Sequence, residues 1–440
     1  MNLEGAKNII LTALVVISAF LTWNIWTYQP HLKKIDNNDD LLSVESEQQS
    51  VSKIIKPTIV QINKLDTHYR INGEENLNKV QSYYKNWSFH DFKDISHSIG
   101  SKDFDSLLHE NGDIEILFPD AIPLSLYKSV IDINDKEVPK FSFDRIIVKT
   151  KFSTDGARVH FVNYDKKKIY ECRIDASNLS TFKNQFFNNT GNFPEYMAVK
   201  LDNGKEIFLP KQPVKMKSYK YLIKDIDLSK FKNGLFSNPN LVRHNPVPEG
   251  DQFLDEERIM TVNIEASTIL FVNPAQKSKF SVNKDSLIPK SIDFIGNHAG
   301  WDGNYVFSEM NEEKQRVVFR LFLGGFPVFS DLGMSQMEQV WGDEDIYSYQ
   351  RPSVSLNIEL PADGKEVTMS SGEEILQKLE NINKLNQQDL EDIQIGYTMT
   401  KDPTQPKWVV VLEPAWYYRY GGTWVAFPVK KLGGAQSGLE

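Results

Sequence analysis

Residues 8–28, NIILTALVVISAFLTWNIWTY, carry no charged side chain. A helix over about 20 residues, at roughly 1.5 Å of rise each, spans the roughly 30 Å hydrocarbon core of a bilayer. The run predicts one transmembrane helix. A cleaved secretory signal needs a shorter apolar core and a small-x-small exit. This run instead leaves through Trp23, Asn24, Ile25, Trp26, Thr27, Tyr28, Gln29 and Pro30. A lipoprotein signal needs a cysteine at that point, and the only cysteine is Cys172. The segment is read as an uncleaved anchor, and the chain beyond it as one large body.

Trp23, Trp26 and Tyr28 stand at the exit, where amphipathic rings favour the headgroup level, and are read as interface anchors. Charge does not orient the span: Lys7, offset by Glu4, precedes it, and Lys33 and Lys34 come after it. Ser18 and Thr22 form a small-xxx-small pair on one helix face, which lets two membrane helices approach and hydrogen-bond. Asn24 is a polar group near the exit. Ser18, Thr22 and Asn24 are therefore the candidate helix-interaction residues. The plainer reading is that the hydroxyls bond back to their own helix and Asn24 reaches the headgroups.

The body needs two to four domains at about 400 residues. The whole chain's aromatic fraction of 12% is that of a globular protein rather than a disordered one. A net charge of −9 argues against nucleic acid, whose phosphates require clustered Lys and Arg. A lone cysteine excludes an internal disulfide, which suits both the cytoplasm and the exterior of bacteria that rarely use disulfides. Residues 29–52 are rich in Asp, Asn, Ser and Gln and read as a solvated tether.

From residue 53 helices and strands alternate. Residues 74–87 place Leu77, Val80, Tyr84 and Trp87 on one helical face. Residues 113–118 and 143–149 read as strands, with a short proline-opened helix at 123–131. Residues 157–165 and 168–174 predict a hairpin in which Cys172 faces the apolar side as a small buried hydrophobe. A second hairpin, 196–201 with 206–209, closes on Asp202-Asn203-Gly204-Lys205, where Asn-Gly suits a type I′ turn. Pro210 and Pro213 suggest a boundary. A strand at 219–223 precedes a helix capped by Asp227, and 238–249 reads as proline-rich loop. Residues 257–264 and 268–273 read as paired strands, and 296–300 as a second boundary. Later come a hairpin of 305–310 with 316–323, a turn at Gly324-Gly325 and a strand at 353–360. Ser371-Gly372-Glu373-Glu374 then forms a capping box. Strands at 408–412 and 424–427, separated by 413–422, close the chain.

No catalytic motif stands out: there is no His-Glu-x-x-His, P-loop or G-x-S-x-G elbow. Residues 132–137 miss the glycine a calcium loop needs. His90 and His97, seven apart, fall in a region read as helical, where two exposed or capping histidines are the plainer account than a metal pair. His298 lies in a glycine loop and reads as a turn donor. The aromatic C-terminus, Trp408, Trp416, Tyr417, Tyr418, Tyr420, Trp424 and Phe427, suits either cross-strand packing or a glycan platform. No catalytic residue, cofactor or metal is assigned.

The span ending in Trp-Asn-Ile-Trp, then residues 322–329 (FLGGFPVF), 339–342 (QVWG), 395–399 (IGYTM) and 414–417 (PAWY), occur in an order that resembles the YycH family of Gram-positive bacteria, its Bacillus branch in particular. The resemblance implies a single-pass protein with a cytoplasmic N-terminus and a large extracytoplasmic part of three domains, the last two sharing a fold with YycI. It implies regulation, together with YycI, of the sensor histidine kinase YycG (WalK) that controls cell-wall metabolism, largely through membrane helices. That regulation is inhibitory in bacilli and activating in staphylococci. Self-association stays open, and nucleic acid is not expected as a partner.

The sequence thus predicts an α+β protein: a short N-terminus (1–7), one transmembrane helix (8–28), a tether (29–52) and an elongated body of mainly antiparallel sheets with packed helices. The body is divided at 53–210, 211–300 and 301–440. The expected function is membrane-anchored regulation of a histidine kinase. The alternative is a wall-associated enzyme or glycan-binding protein using the aromatic C-terminal domain.

Overall fold

Strands buried on both faces read as near-continuous apolar runs, and Asp113–Pro123 is the clearest of these, with Ile114, Ile116, Phe118 and Ile122 all buried. The computed structural model describes Ser18 and residues 50–65, 67–100, 104–151, 157–276, 287–361, 366–382 and 386–428. Residues 46–440 form one unit. In the other unit, 1–45, only Ser18 is described; it is helical and exposed. No helix among the described residues is long and apolar enough to cross a membrane. The rest of the 8–28 run, with Thr22, Trp23, Asn24, Trp26 and Tyr28, lies outside the described residues, as does nearly all of the tether.

The body is α+β with mostly antiparallel sheets. Its first sheet has ten strands, in the order Glu206–Pro210, Glu195–Lys200, Thr67–Ile71, Ile59–Lys64, Asp113–Pro123, Ser142–Lys149, Ala157–Asn163, Lys168–Ile174, Ser88–Asp94 and Asp132–Ile133. Only the last pairing is parallel. On one face Val60, Ile62, Ile116, Ile146, Val159 and Cys172 pack beneath the helix Glu74–Tyr84, which contributes Leu77, Val80 and Tyr84. Trp87 is buried just past that helix, against Phe182. The Cys172 thiol donates to the Val159 carbonyl at 3.4 Å, and burial pushes its pKa well up.

A second sheet runs through fourteen strands. One end orders Arg243–Val247, Gly250–Leu254, Ile259–Asn263, Thr268–Val272, Ile346–Pro352, Gln336–Trp341 and Arg316–Leu323, with Tyr305–Asn311 also paired to the last. The hairpin turn at Gly324-Gly325 then passes to Phe326–Phe329, which pairs with Leu390–Lys401, followed by Val409–Tyr420, Tyr219–Asp225 and Val354–Leu360. The strand Tyr219–Asp225 is bound on both sides by chain from much later: Tyr219 faces Leu412 and Lys220 faces Leu360. A separate ribbon pairs Val214–Lys217 with Glu366–Met369. Helix Leu228–Leu235 is capped by Asp227, which accepts from the Ser229 amide at 2.9 Å. Helix Gly372–Glu380 carries both bonds of the Ser371/Glu374 capping box.

Four sequence expectations change. His90 lies in the strand Ser88–Asp94 and His97 in a short 3-10 turn, so they share no helix face. Asp91 has a φ of +58°, and the Asp135 carboxylate accepts from the Asp91 and Phe92 amides at 2.9 and 2.8 Å, holding the strand kinked. The proline-rich stretch 238–249 contains the edge strand Arg243–Val247, where Pro246 needs no outer partner. Residues 413–420 continue the strand Val409–Tyr420 instead of interrupting it. The 206–210 hairpin forms, but only Gly204 has a positive φ (+87°), so the turn is type I followed by a glycine bulge rather than type I′. Asn203 bends its side chain to accept from the Lys205 amide and donate to the Leu390 carbonyl.

Candidate functional site

The reverse face of the first sheet holds its densest chemistry. Strand alternation that sends Ile114 and Ile116 into the main core sends Asp113 and Glu115 the other way. Ile147, Val162 and Ile169 of neighbouring strands share that face, and Phe104 and Leu108 pack over them. Glu115 is fully buried. Its Oε1 accepts from His109 Nδ1 at 2.7 Å and from the Asn63 amide at 2.5 Å, and its Oε2 faces the Arg145 guanidinium at 4.0 Å. Asn63 Oδ1 in turn accepts from His68 Nδ1 at 2.7 Å and Gln61 Nε2 at 3.0 Å. Phe208 stands edge-on to both imidazoles.

Burial alone would raise the Glu115 pKa; the facing His109, Arg145 and Asn63 outweigh it and hold the carboxyl down at about 2. A carboxylate that stays ionised, with Oε1 held by two donors and Oε2 facing only the Arg145 guanidinium, organises its neighbours and is poorly suited to proton transfer. Beside it Asp113 pairs with Lys149 at 2.8 Å, and burial carries the Asp113 pKa up to about 6. His160 and Glu171 pair at 3.2 Å, with the imidazole pKa lowered by burial. Among the described residues no three His, Cys, Asp or Glu side chains gather as a metal site. The sequence reading missed this cluster. Its one visible signal was the alternation of Asp113 and Glu115 with the apolar Ile114 and Ile116.

The first sheet meets the hairpin of Tyr305–Asn311 and Arg316–Leu323 at two polar points. Lys56 Nζ donates to Glu74 at 3.0 Å and to Asn304 Oδ1 at 2.8 Å, and the Asn304 amide donates to Glu74 at 2.8 Å. Asp120 accepts from the Met310 and Ala121 amides, both at 2.7 Å. Burial raises the Asp120 pKa to about 6, although those two amides pull it down. A carboxyl raised in the folded state favours folding as pH drops through that value. Between pH 7 and pH 5 the Asp120 contribution is expected to grow by about 1 kcal/mol. An Asp120→Asn variant, neutral throughout, should lack that gain when the two unfolding free energies are compared across this range. Equal pH slopes for the two proteins would exclude it.

His298 pins the ends of two helices, with Nδ1 against the Phe294 carbonyl at 2.6 Å and Nε2 against the Gly234 carbonyl at 3.1 Å. Burial lowers its pKa. Nearby Arg351 has no exposed surface and donates to the Gly300 carbonyl at 3.0 Å, the Tyr349 hydroxyl at 3.2 Å and Asp302 Oδ2 at 3.0 Å. Its guanidinium also lies 5.0 Å from the Phe231 ring centroid. The C-terminal aromatics mostly turn inward: Trp416, Tyr417, Tyr418 and Phe427 are buried, whereas Trp408 is 58% exposed. Tyr417 stacks on Phe329 at 4.0 Å, with Trp424 at the edge of that small cluster. Cross-strand packing accounts for the buried members.

Comparison with known proteins gives these features a frame. The family model for the YycH protein N-terminal domain matches residues 4–190, and that for its C-terminal domain matches residues 204–432. The chain is 26% identical to the Bacillus subtilis (strain 168) protein named "Two-component system WalR/WalK regulatory protein YycH", over 463 residues and the whole of both chains. The crystal structure of YycH from Bacillus subtilis superposes with a TM-score of 0.74 at 23% identity, covering 87% of this chain and 98% of that one. At that identity the superposition speaks to the fold. Matched through both of its halves, this chain belongs to the YycH family.

Proposed function

We propose that this protein is a membrane-anchored regulator that acts with YycI on the WalK histidine kinase, and that it inhibits the kinase. The observation that carries the reading is the full-length similarity to a relative named as a WalR/WalK regulatory protein. The uncharged run at 8–28 supplies the anchor, and the family resemblance supports an N-terminus inside and a body outside. Regulation runs through helix packing in the membrane. A kinase with two packings of its membrane helices needs only a few kcal/mol of differential contact to be biased. Ser18 and Thr22, with Asn24 near the exit, form the face that docks, and Trp23, Trp26 and Tyr28 set its depth. The external body acts as a scaffold that holds YycI alongside, its two later domains sharing the YycI fold. The role is regulatory rather than catalytic.

The test is a WalK-dependent reporter in cells carrying the full chain with Ser18→Leu and Thr22→Leu together. Loss of the docking face should raise reporter output to the level of a strain lacking the protein, a change of at least about fivefold. Unchanged output from a variant inserted at wild-type abundance would rule out the helix-docking mechanism.

A further inference from the structure

Where the strands Tyr219–Asp225 and Val354–Leu360, at one end of the fourteen-stranded sheet, face its central strand Arg316–Leu323, the fold leaves a hollow of about 160 Å3. Its walls are apolar: Ile223, Leu321, Leu356 and Val410 line it together with the thioethers of Met334 and Met399. Protein interiors leave few voids larger than a water molecule, and an empty one destabilises in proportion to its size. Apolar cavities of about 150 Å3 stay dry and admit a six-carbon ring. Methionine walls are polarisable and adaptable, which suits an occupant that comes and goes.

The rim is not apolar. Asp302, Asn304 and Ser355 border the hollow, and Tyr221 closes one side. Arg351 holds Asp302 through Oδ2, so the carboxylate stays fixed at the mouth with its side chain 36% exposed. The Tyr221 hydroxyl donates to Glu359 at 3.3 Å, which places a second acid near the same side. A ligand whose head donates a hydrogen bond finds acceptors here, whereas an anionic head meets like charge.

We propose that this hollow is a binding site for a short aliphatic chain of about six carbons with a hydroxyl head. The chain fills the apolar space, and the hydroxyl rests on the Asp302 and Ser355 rim. The site adjoins the polar junction between the sheets, because Asn304, which borders the hollow, also binds Lys56 and Glu74. An occupant that shifts Asn304 therefore acts on the join between the two sheets.

The experiment uses the full chain with 13C-labelled methionine methyls, titrated with 1-hexanol. The Met334 and Met399 methyl signals should move saturably, with a Kd of about 1 mM. Met260, buried in the strand Ile259–Asn263 away from the hollow, should not move. Hexanoate should bind at least about tenfold more weakly. Leu356→Phe, which fills the space, should abolish saturation; Val354→Leu, a smaller filling, should weaken binding about threefold. Shifts that stay linear, or that appear equally at Met260, would show a closed packing void and overturn the site. Equal affinity for hexanoate would overturn the assignment of the head group.

Discussion

Arg351→Met is expected to lower the unfolding free energy by about 3 kcal/mol. The guanidinium is fully buried, and its donors reach the Gly300 carbonyl, the Tyr349 hydroxyl and Asp302. Methionine replaces the aliphatic stem but leaves a buried carbonyl without a donor and a carboxylate without a cation. Asp302 is 36% exposed and recovers part of its solvation, which keeps the loss moderate. Arg351→Lys should recover little, because an ammonium cannot present the planar fork that serves three acceptors at once. Chemical denaturation measures the loss. Amide hydrogen exchange at residues 298–303 should accelerate with it, since this loop is what the side chain holds. A variant with the wild-type midpoint and unchanged exchange would show that the network adds nothing to the fold.

Glu115→Gln is expected to cost about as much, ~3 kcal/mol at neutral pH, with a characteristic pH signature. In the folded chain the carboxyl titrates at about 2, below its ordinary value of about 4.3. A depressed carboxyl contributes its full stabilisation above the ordinary value and loses it as pH falls toward the folded one. The gap between wild type and variant should therefore be constant from pH 7 to pH 5 and shrink below about pH 4. Arg145 keeps Asp144 at 2.9 Å and the Tyr164 ring, so the loss is chiefly that of the His109 and Asn63 bonds to a charged acceptor. Unfolding free energies at pH 7, 5 and 3 decide the matter. An equal gap at pH 3 and pH 7 would mean that the charge on Glu115 is irrelevant.

Local chemistry made much of the fold legible in the sequence. The capping box at Ser371, the Asp227 cap and the apolar face of Glu74–Tyr84 are decided by neighbours within a turn of helix, and all three form as expected. The reading fails where distant chain decides. Pro414 looks like a breaker, yet Val409–Tyr420 is one strand and ends only at the Gly421-Gly422 turn into Thr423–Ala426. Tyr219–Asp225 pairs with Val409–Leu412 and Thr423–Ala426 with Tyr417–Tyr420. Pro414 falls in the gap between them, where one edge has no strand partner among the described residues. His90 looks helical in the sequence because no short-range signal marks a kink that Asp135 enforces from another segment. The Glu115 cluster is half-written in the alternation of Asp113–Pro123. His109 stands six residues before Glu115, but Asn63 and Arg145 become its partners only when three separate segments are brought together.

The strand Tyr219–Asp225 has a consequence for how the chain acquires its form. Both of its partners, Val354–Leu360 and Val409–Tyr420, are synthesised long after it. The strands from Arg243–Val247 to Ile346–Pro352 pair among themselves in the meantime. Closing so large a loop carries an entropic cost that must be met before the pairing rewards it, and chains rich in such distant pairings fold slowly. Until residue 412 has emerged, Tyr219–Asp225 offers unpaired amides and carbonyls to any other strand it meets. A nascent chain of this kind is most exposed to misassembly until its partners arrive, and a stop codon between residues 361 and 408 would leave that early strand permanently unpaired on one side.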